Sequence, residues 1–207
     1  WPWSDEQMAA FRGLSAALDG FFTGALAAVR KEFRGRVSYA SGTWETLDWT
    51  PFDIVGIDGY RDAQNAATYR QQLRTYLATG KPVAVTEFGC CTYRGAADRG
   101  GMGWAIVDRN QIPARLDGPY ERSEDEQVDY LQELLEIFAD EQVDAAFWFT
   151  FAGYELPHRA DPLFDLDMAS YGVVKLHDPD ADPPGTGLGW EPKKVFAALA
   201  GAYGKET

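Results

Sequence analysis

The run Val83-Ala84-Val85-Thr86-Glu87-Phe88-Gly89 determines how the rest of this 207-residue chain is interpreted. Its first residues are small or β-branched and uninterrupted by charge, which is typical of a strand buried on both faces of a parallel sheet. The run then changes to an acidic residue, Glu87, at the edge of this apolar segment. A carboxylate in such a position is costly unless it is paired or used. We therefore expect a strand over 82–87 that delivers Glu87 to a functional site.

Strand-like and helix-like segments alternate along the chain. Strands are expected over 37–40, 53–58, 82–87 and 144–149. Helices are expected before the first strand (two helices, or one kinked near Gly20 and Gly24), over about 63–78, from Ser123 to about 140, and from 190 onward. Such alternation predicts parallel strands with right-handed crossovers. We interpret 1–207 as a single α/β domain with long loops over 89–122 and from 150 to about 184.

Polar and aromatic residues lie in or beyond the carboxyl-terminal end of each predicted strand. In a parallel α/β barrel the active site forms at that end of the strands, so these side chains are expected to converge on one face. The candidates are Trp44 and Glu45 after the first strand, Asp58, Tyr60 and Arg61 at the end of the second, Glu87 on the third, and Trp148 and Glu155 on and after the fourth.

These segments resemble a known group of enzymes. The run around Glu87 resembles the seventh strand of the large clan of retaining (β/α)₈ glycosidases. Segments 37–45 and 53–60 resemble strands five and six of the family 113 β-mannanases, and 147–151 resembles strand eight. Segment 151–174 is also similar to uncharacterised actinobacterial proteins of this type. The resemblance implies a TIM-barrel-type fold, of which this chain carries about four β/α units, strands five to eight.

The resemblance also implies a reaction. It indicates a retaining O-glycosyl hydrolase acting on a β-linked oligo- or polysaccharide, with Glu87 as the nucleophile. Such an enzyme needs a second carboxyl group about 5–5.5 Å away as acid/base. In the clan this group is a Glu at the end of strand four, usually after Asn, and this sequence contains no Asn-Glu pair. We therefore expect the proton donor to precede Trp1, and a partner that is either an N-terminal half-barrel or a second copy of the chain.

The other candidates have two interpretations each. Tyr60 is expected to hydrogen-bond Glu87 and keep it ionised, or to be a packed aromatic at the rim. Asp58 would bind a sugar hydroxyl or support Arg61, or would only cap its strand. Trp148, which in the clan forms the floor of the sugar site, would stack under the substrate or belong to the core.

The loop residues are assigned less directly. Glu45 and Glu155 would bind hydroxyl groups or form surface ion pairs, and they are the only nearby carboxylates that might substitute as the acid. In the first long loop, Arg94, Arg99 and Trp104 are candidates for outer subsites. A glycine-rich loop of this length is functional or simply mobile.

Composition excludes several classes of function. The net charge of -13 would repel a phosphate backbone or an anionic membrane surface, so neither nucleic acid nor membrane is an expected partner. Two adjacent cysteines, Cys90 and Cys91, form no metal-binding spacing, and are read as buried thiols or as a vicinal disulfide. Few cysteines are compatible with a reducing compartment but do not fix a location. No cofactor is expected.

Two alternatives remain open. His158, Asp161, Asp165 and Asp167 could be read as a metal cluster, but their spacing fits no standard calcium loop, so we predict no metal site. The alternative to an enzyme is a non-catalytic carbohydrate-binding or assembly domain that lacks the acid/base residue. Fold analogy alone does not exclude it.

Overall fold

The computed structural model describes residues 5–178 and 189–204, with side chains from residue 17 onward. Its helices are α1 (Asp5–Glu32), α2 (Tyr69–Leu77), α3 (Glu124–Asp140) and α4 (Lys194–Tyr203). Its strands are β1 (Ala40–Ser41), β2 (Val55–Asp58), β3 (Val83–Phe88), β4 (Val107–Asp108), β5 (Arg115–Leu116), β6 (Ala145–Trp148), β7 (Val174–Leu176) and β8 (Trp190–Pro192). Within these ranges, no helix combines the length and apolar character needed to cross a bilayer.

A four-stranded parallel sheet forms the centre of the fold. The strand order is β1-β2-β3-β6, which follows the order along the chain. All three neighbouring pairs are parallel, as the alternation of strands and helices predicted. Consecutive parallel strands in chain order are the arrangement of a (β/α)₈ barrel, and this sheet represents about half of one. The prediction of an α/β fold with four such units is confirmed.

The main core lies between this sheet and the helices α2 and α3. Val55, Val83 and Val85 are completely buried, and they belong to one cluster with Leu73 of α2 and Leu134 of α3. Burial of side chains of this size contributes about 1.5–3 kcal/mol each to folding. The apolar run that precedes Glu87 therefore anchors β3 in the core. It places Glu87 near the carboxyl-terminal end of the strand, where the loops begin.

The amino-terminal segment is one continuous helix, where the sequence predicted two helices or one kinked helix. A side chain built at Gly20 or Gly24 would meet no atom within 4 Å, so both glycines face open space. Phe22 and Leu26 of the same helix are buried against Phe52, in a second and smaller apolar cluster. This packing keeps the chain helical across both glycines. Each glycine destabilises a helix by only about 1 kcal/mol relative to alanine.

The second predicted helix starts later than expected. Helix α2 begins at Tyr69, and the preceding residues form turns. Side-chain oxygens of Asp62 and Asn65 accept backbone hydrogen bonds from each other's amides, at 2.8 and 2.9 Å. Such local bonds compete with the helical ladder, and they keep this segment in a turn at the end of β2.

Two other predicted segments differ in the structure. Residues 190–192 form β8, which pairs antiparallel with β7, and the last helix starts only at Lys194. The long loop over 89–122 contains a 3₁₀ helix, Ala97–Met102, and the two-stranded β4-β5 hairpin. The loop is thus ordered by local structure that the sequence pattern did not indicate.

Candidate active site

Tyr60 and Glu87 meet where β2 and β3 end. The hydroxyl of Tyr60 donates a 2.6 Å hydrogen bond to Oε1 of Glu87, the contact that the sequence predicted for this pair. The amide of Gly59 also donates to the carbonyl of Glu87 at 2.7 Å, which extends the strand pairing to the site. Burial, together with the bond to Glu87, raises the pKa of Tyr60 far above its usual value. Tyr60 therefore remains a protonated donor toward the carboxylate.

Asp58 lies opposite Glu87 in the strand register. The pairing of β2 with β3 shifts between Ile57 and Asp58, and this irregularity aligns Asp58 with Glu87. The hydroxyl of Thr86 lies 3.4 Å from Oδ1 of Asp58. Burial raises the pKa of Asp58, and the nearby charge of Glu87 raises it further.

Two cavities meet at Tyr60 and Glu87, and together we call them the site groove. Their volumes are about 550 and 450 Å³, and both are lined by Tyr60, Glu87, Gly101 and Trp104. The smaller cavity is also bordered by Trp44, Asp58 and Arg99, and the larger one by Arg109, Phe149, Tyr154 and Tyr171. Glu87 is therefore at the middle of a groove with aromatic side chains on both sides.

Trp148 does not line the site groove. Its indole Nε1 donates to the carbonyl of Tyr171 at 2.9 Å, and its ring packs edge-on against buried Phe88 at 5.4 Å. Successive side chains of a strand point to opposite faces, so the next residue, Phe149, faces the groove. Phe149 is 41% exposed. The packing of Trp148 agrees with the core interpretation of this residue, and its neighbour Phe149 lines the groove.

The predicted substrate-binding residues divide into two groups. Trp44 lines the groove and is 68% exposed. The carboxylate of Glu45 instead accepts from the amide of Gly42 at 2.9 Å and the hydroxyl of Tyr39 at 3.2 Å. Glu45 thus closes its own loop and does not line either cavity of the groove.

Arg61 and Glu155 also point elsewhere. The guanidinium of Arg61 pairs with Glu133 of α3 at 2.6 Å and lies over the ring of Tyr130 at 5.5 Å. Glu155 is 84% exposed in its side chain, and its nearest cation is Arg109 at 3.8 Å. Arg61 therefore connects the end of β2 to α3, whereas Glu155 lies beside Arg109 of the groove without lining either cavity.

Tyr171, which sequence reasoning missed, connects the long loop to the site. Its hydroxyl donates to the carbonyl of Gly100 at 2.7 Å and accepts from the amide of Gly103 at 2.9 Å. Its ring meets that of Tyr60 edge-on at 5.6 Å. A Cβ at Gly101 would lie 3.1 Å from the Tyr60 ring, so the loop backbone packs directly on Tyr60. No local motif marks Tyr171, since its role depends on loops distant in sequence.

The long loop contributes two of its three expected residues. Arg99 and Trp104 line the groove, and the guanidinium of Arg99 lies 5.9 Å from the ring centre of Tyr120. Arg94 instead forms an exposed ion pair with Glu121 at 2.8 Å. Such a pair contributes little to stability.

Asp165 and Asp167, which follow β6 in the chain, form ion pairs. Arg122 binds Asp165 at 3.0 Å and Asp167 at 2.8 Å, and buried Lys193 binds Asp167 at 2.9 Å. His158 bonds to Asp165 through Nδ1 at 2.9 Å. In the described ranges, no group of three His, Cys, Asp or Glu side chains is arranged to hold a metal ion.

The cysteines follow the simpler of the two interpretations. Cys90 and Cys91 are free thiols, and both are buried. Burial raises the pKa of Cys91 well above its usual value. A vicinal disulfide is not present.

The chain is similar to solved glycoside hydrolase structures of family GH113. A GH113 β-1,4-mannanase matches with a TM-score of 0.52 and 20% identity, over 64% of this chain and 40% of that structure. A second, in a complex, matches with a TM-score of 0.51 and 23% identity, over 72% and 44%. A GH113 β-mannanase from Alicyclobacillus acidocaldarius matches with a TM-score of 0.51 and 19% identity, over 64% and 40%.

These likenesses show the fold. The chain has the architecture of part of a TIM-barrel glycoside hydrolase, and it spans less than half the length of the structures it matches. No protein-family profile and no curated protein matches the sequence.

The raised pKa of Asp58 predicts a pH-dependent effect of its replacement. Because ionised Asp58 is disfavoured in the folded state, wild-type stability should fall as pH rises through its folded pKa. We expect Asp58→Asn to remove this cost, so its effect on the thermal unfolding midpoint should be more stabilising at pH 7 than at pH 3. Exposed Asp129→Asn is the control and should show no such difference. An Asp58→Asn effect that is equal at both pH values would contradict a raised pKa of Asp58 in the folded protein.

Proposed function

We propose that this chain carries the nucleophile side of a retaining glycoside hydrolase active site, acting on a β-linked oligo- or polysaccharide. The observation that carries the proposal is the 2.6 Å bond from Tyr60 to Glu87 in the middle of the aromatic groove. A protonated phenol that donates to one carboxylate oxygen orients the group, while the second oxygen is available to attack. The likeness to GH113 mannanase structures supports a saccharide as the substrate.

The reaction would proceed through a glycosyl ester. An oxygen of Glu87 attacks the anomeric carbon, the bond to the leaving oxygen breaks, and that oxygen takes a proton from the acid/base group. Water, deprotonated by the same group, then cleaves the ester. Trp44, Trp104 and Phe149 offer ring faces and edges for the apolar surfaces of sugar rings, and Asp58 offers an acceptor for a hydroxyl group.

We propose that the acid/base group is supplied from outside the described sheet. Besides Glu87, the carboxylates that line the site groove are Asp58 and Asp62. One oxygen of Asp62 already accepts from the amides of Gln64 and Asn65 at 2.8 and 2.9 Å. Asp58 lies on the strand next to Glu87, whereas retaining enzymes place the two groups on either side of the scissile bond.

The open edges of the sheet favour a partner that would also supply the acid/base group. Within the part of the chain that the structure describes, strands β1 and β6 each have one strand neighbour, and unpaired strand edges are normally covered. Phe147 on β6 and Phe151 three residues beyond its end are 58% and 50% exposed. A further set of parallel strands, from an N-terminal half-barrel or a second copy of the chain, would cover these edges and complete the site.

The open edge of β6 predicts that the isolated 207-residue chain associates with itself. Apolar side chains and backbone groups at the β6 edge should pair with a second copy when no other strands are offered. Sedimentation velocity over a range of micromolar concentrations should therefore show dimers or larger species. Phe147→Lys should shift the distribution toward monomer, whereas Phe33→Lys, exposed on the segment after α1, should not. A monodisperse wild-type monomer would rule out the edge as an association surface.

The nucleophile assignment predicts covalent trapping of Glu87. With a dinitrophenyl 2-deoxy-2-fluoro-β-mannoside, the fluoromannosyl group is transferred to Glu87 and the dinitrophenolate leaves without protonation, so trapping does not need the acid/base group. We expect mass spectrometry to find one fluorosugar on the peptide that contains Glu87. Glu87→Gln should abolish the label, and Glu45→Gln should retain it. Labelling at another carboxylate would contradict the assignment.

Loss of the Tyr60 hydroxyl should slow the reaction without abolishing it. A hydrogen bond to a charged group contributes about 1.5–3 kcal/mol, which corresponds to roughly 10- to 100-fold in kcat/KM. Tyr60→Phe is therefore expected to lower kcat/KM on an aryl β-glycoside within that range. Tyr120→Phe, which loses a surface bond to Asp117, is the control. An unchanged kcat/KM in Tyr60→Phe would remove Tyr60 from the mechanism.

A non-catalytic carbohydrate-binding domain is the second candidate. It is favoured by the absence of an Asn-Glu pair from the sequence. This function predicts saccharide binding without turnover or trapping, and an affinity that Glu87→Gln leaves nearly intact.

A further inference from the structure

A third cavity, which we call the side cavity, continues the site groove away from Glu87. Its volume is about 450 Å³. It shares Thr43, Asp62 and Asn65 with the part of the groove that contains Trp44, so the two spaces adjoin. Its remaining walls are Gln64, Gln72, Thr75 and Tyr76. A saccharide chain that lies along the groove past Trp44 would therefore enter it.

The side cavity lies between the crossover that follows β1 and one flank of α2. In the structure the crossover over 42–54 contains no helix, although crossovers in this fold usually do. Its apolar residue Phe52 packs instead against α1. Gln72 and Thr75 on the flank of α2 remain exposed, and Thr43 of the crossover forms the opposite wall.

The walls of the side cavity are polar and nearly uncharged. Six of its seven lining residues carry amide or hydroxyl groups, and Asp62 is the single ionisable acid. The amide nitrogen of Gln72 has only a long contact, 3.4 Å, to the hydroxyl of Thr68. Amide and hydroxyl groups of this kind donate to and accept from sugar hydroxyls.

The charge of the side cavity selects among saccharides. No Lys, Arg or His is among its lining residues, and Asp62 would repel an anion. A phosphate, a sulfated sugar or a uronic acid would therefore lack a counter-charge there. A neutral sugar unit fits the donors and acceptors present.

We propose that the side cavity is an outer subsite that binds a neutral sugar unit of the same saccharide chain that is held at Glu87. The inference rests on the proposed function, because it uses the site groove as the path of the substrate. Gln72 and Gln64 are the principal hydrogen-bonding groups, from α2 and from the turn before it. Affinity should consequently depend on these residues only for saccharides long enough to reach beyond Trp44.

The test compares long and short saccharides on matched variants. Binding of β-1,4-mannohexaose and mannobiose to the Glu87→Gln protein is measured by titration calorimetry, with Gln72→Leu or Gln64→Leu added. Each added substitution is expected to weaken hexaose binding about 5- to 10-fold relative to biose binding. Gln71→Leu is the control on the same helix, since Gln71 is exposed and does not line the cavity. The hydrolysis of both saccharides by the wild-type protein is measured in parallel.

The outcomes separate the subsite from the proposed reaction. Weaker hexaose binding in both variants, but not in Gln71→Leu, supports the subsite, and it does so even if the wild-type protein hydrolyses neither saccharide. In that case only the proposed hydrolysis fails. Hexaose binding that is unchanged in Gln72→Leu and Gln64→Leu overturns the subsite, whether or not hydrolysis occurs. Absence of hexaose binding overturns it as well.

Discussion

The parallel pairing of β2 with β3 is the constraint on which the site depends. The register shift after Ile57 brings Asp58 opposite Glu87, and the bond from Gly59 to the carbonyl of Glu87 carries the pairing past the end of the sheet. Tyr60 can then donate to the Glu87 carboxylate from the neighbouring strand. Because both strands are anchored by completely buried valines, the pair of side chains is held on a rigid support.

The loops above the sheet are held by a different kind of interaction. Lys193 and Asp167 form a completely buried ion pair, and Arg122 bridges Asp167 to Asp165. Burial lowers the pKa of Lys193, and Asp167 opposes this effect. Removal of one partner would leave an unpaired buried charge, which costs several kcal/mol. These ion pairs therefore fix the position of the loop that leads to Tyr171. Tyr171 in turn binds the backbone of the loop around Gly101, which packs on Tyr60.

The proposed function rests on the groove and on the open edges of the described sheet. Glu87 has its orienting group, its aromatic surroundings and an extended space on the α2 side. The acid/base group that the proposed retaining hydrolysis requires is not on the described strands. In that proposal, further strands pair with β6, close to exposed Phe147 and Phe151, and complete both the sheet and the site.

Local sequence predicted four parallel strands and placed Glu87 on the third of them, although the first strand is Ala40–Ser41 and not 37–40. A buried strand requires an uninterrupted apolar run, so the position of the first charge after that run can be read directly from the sequence, and the pairing of Tyr60 with Glu87 follows from neighbouring strand ends. The sequence left Trp148 open between the groove and the core, because an alternating strand does not reveal which of its faces points to the groove. Arg61 and Glu45 were expected at the site, but their ion pairs and loop bonds depend on Glu133 and Gly42, which no motif connects to them. The sequence alone thus determined the nucleophile candidate and its strand, whereas only tertiary packing decided which aromatic residues, loop anchors and polar walls surround it, since those contacts join segments far apart along the chain.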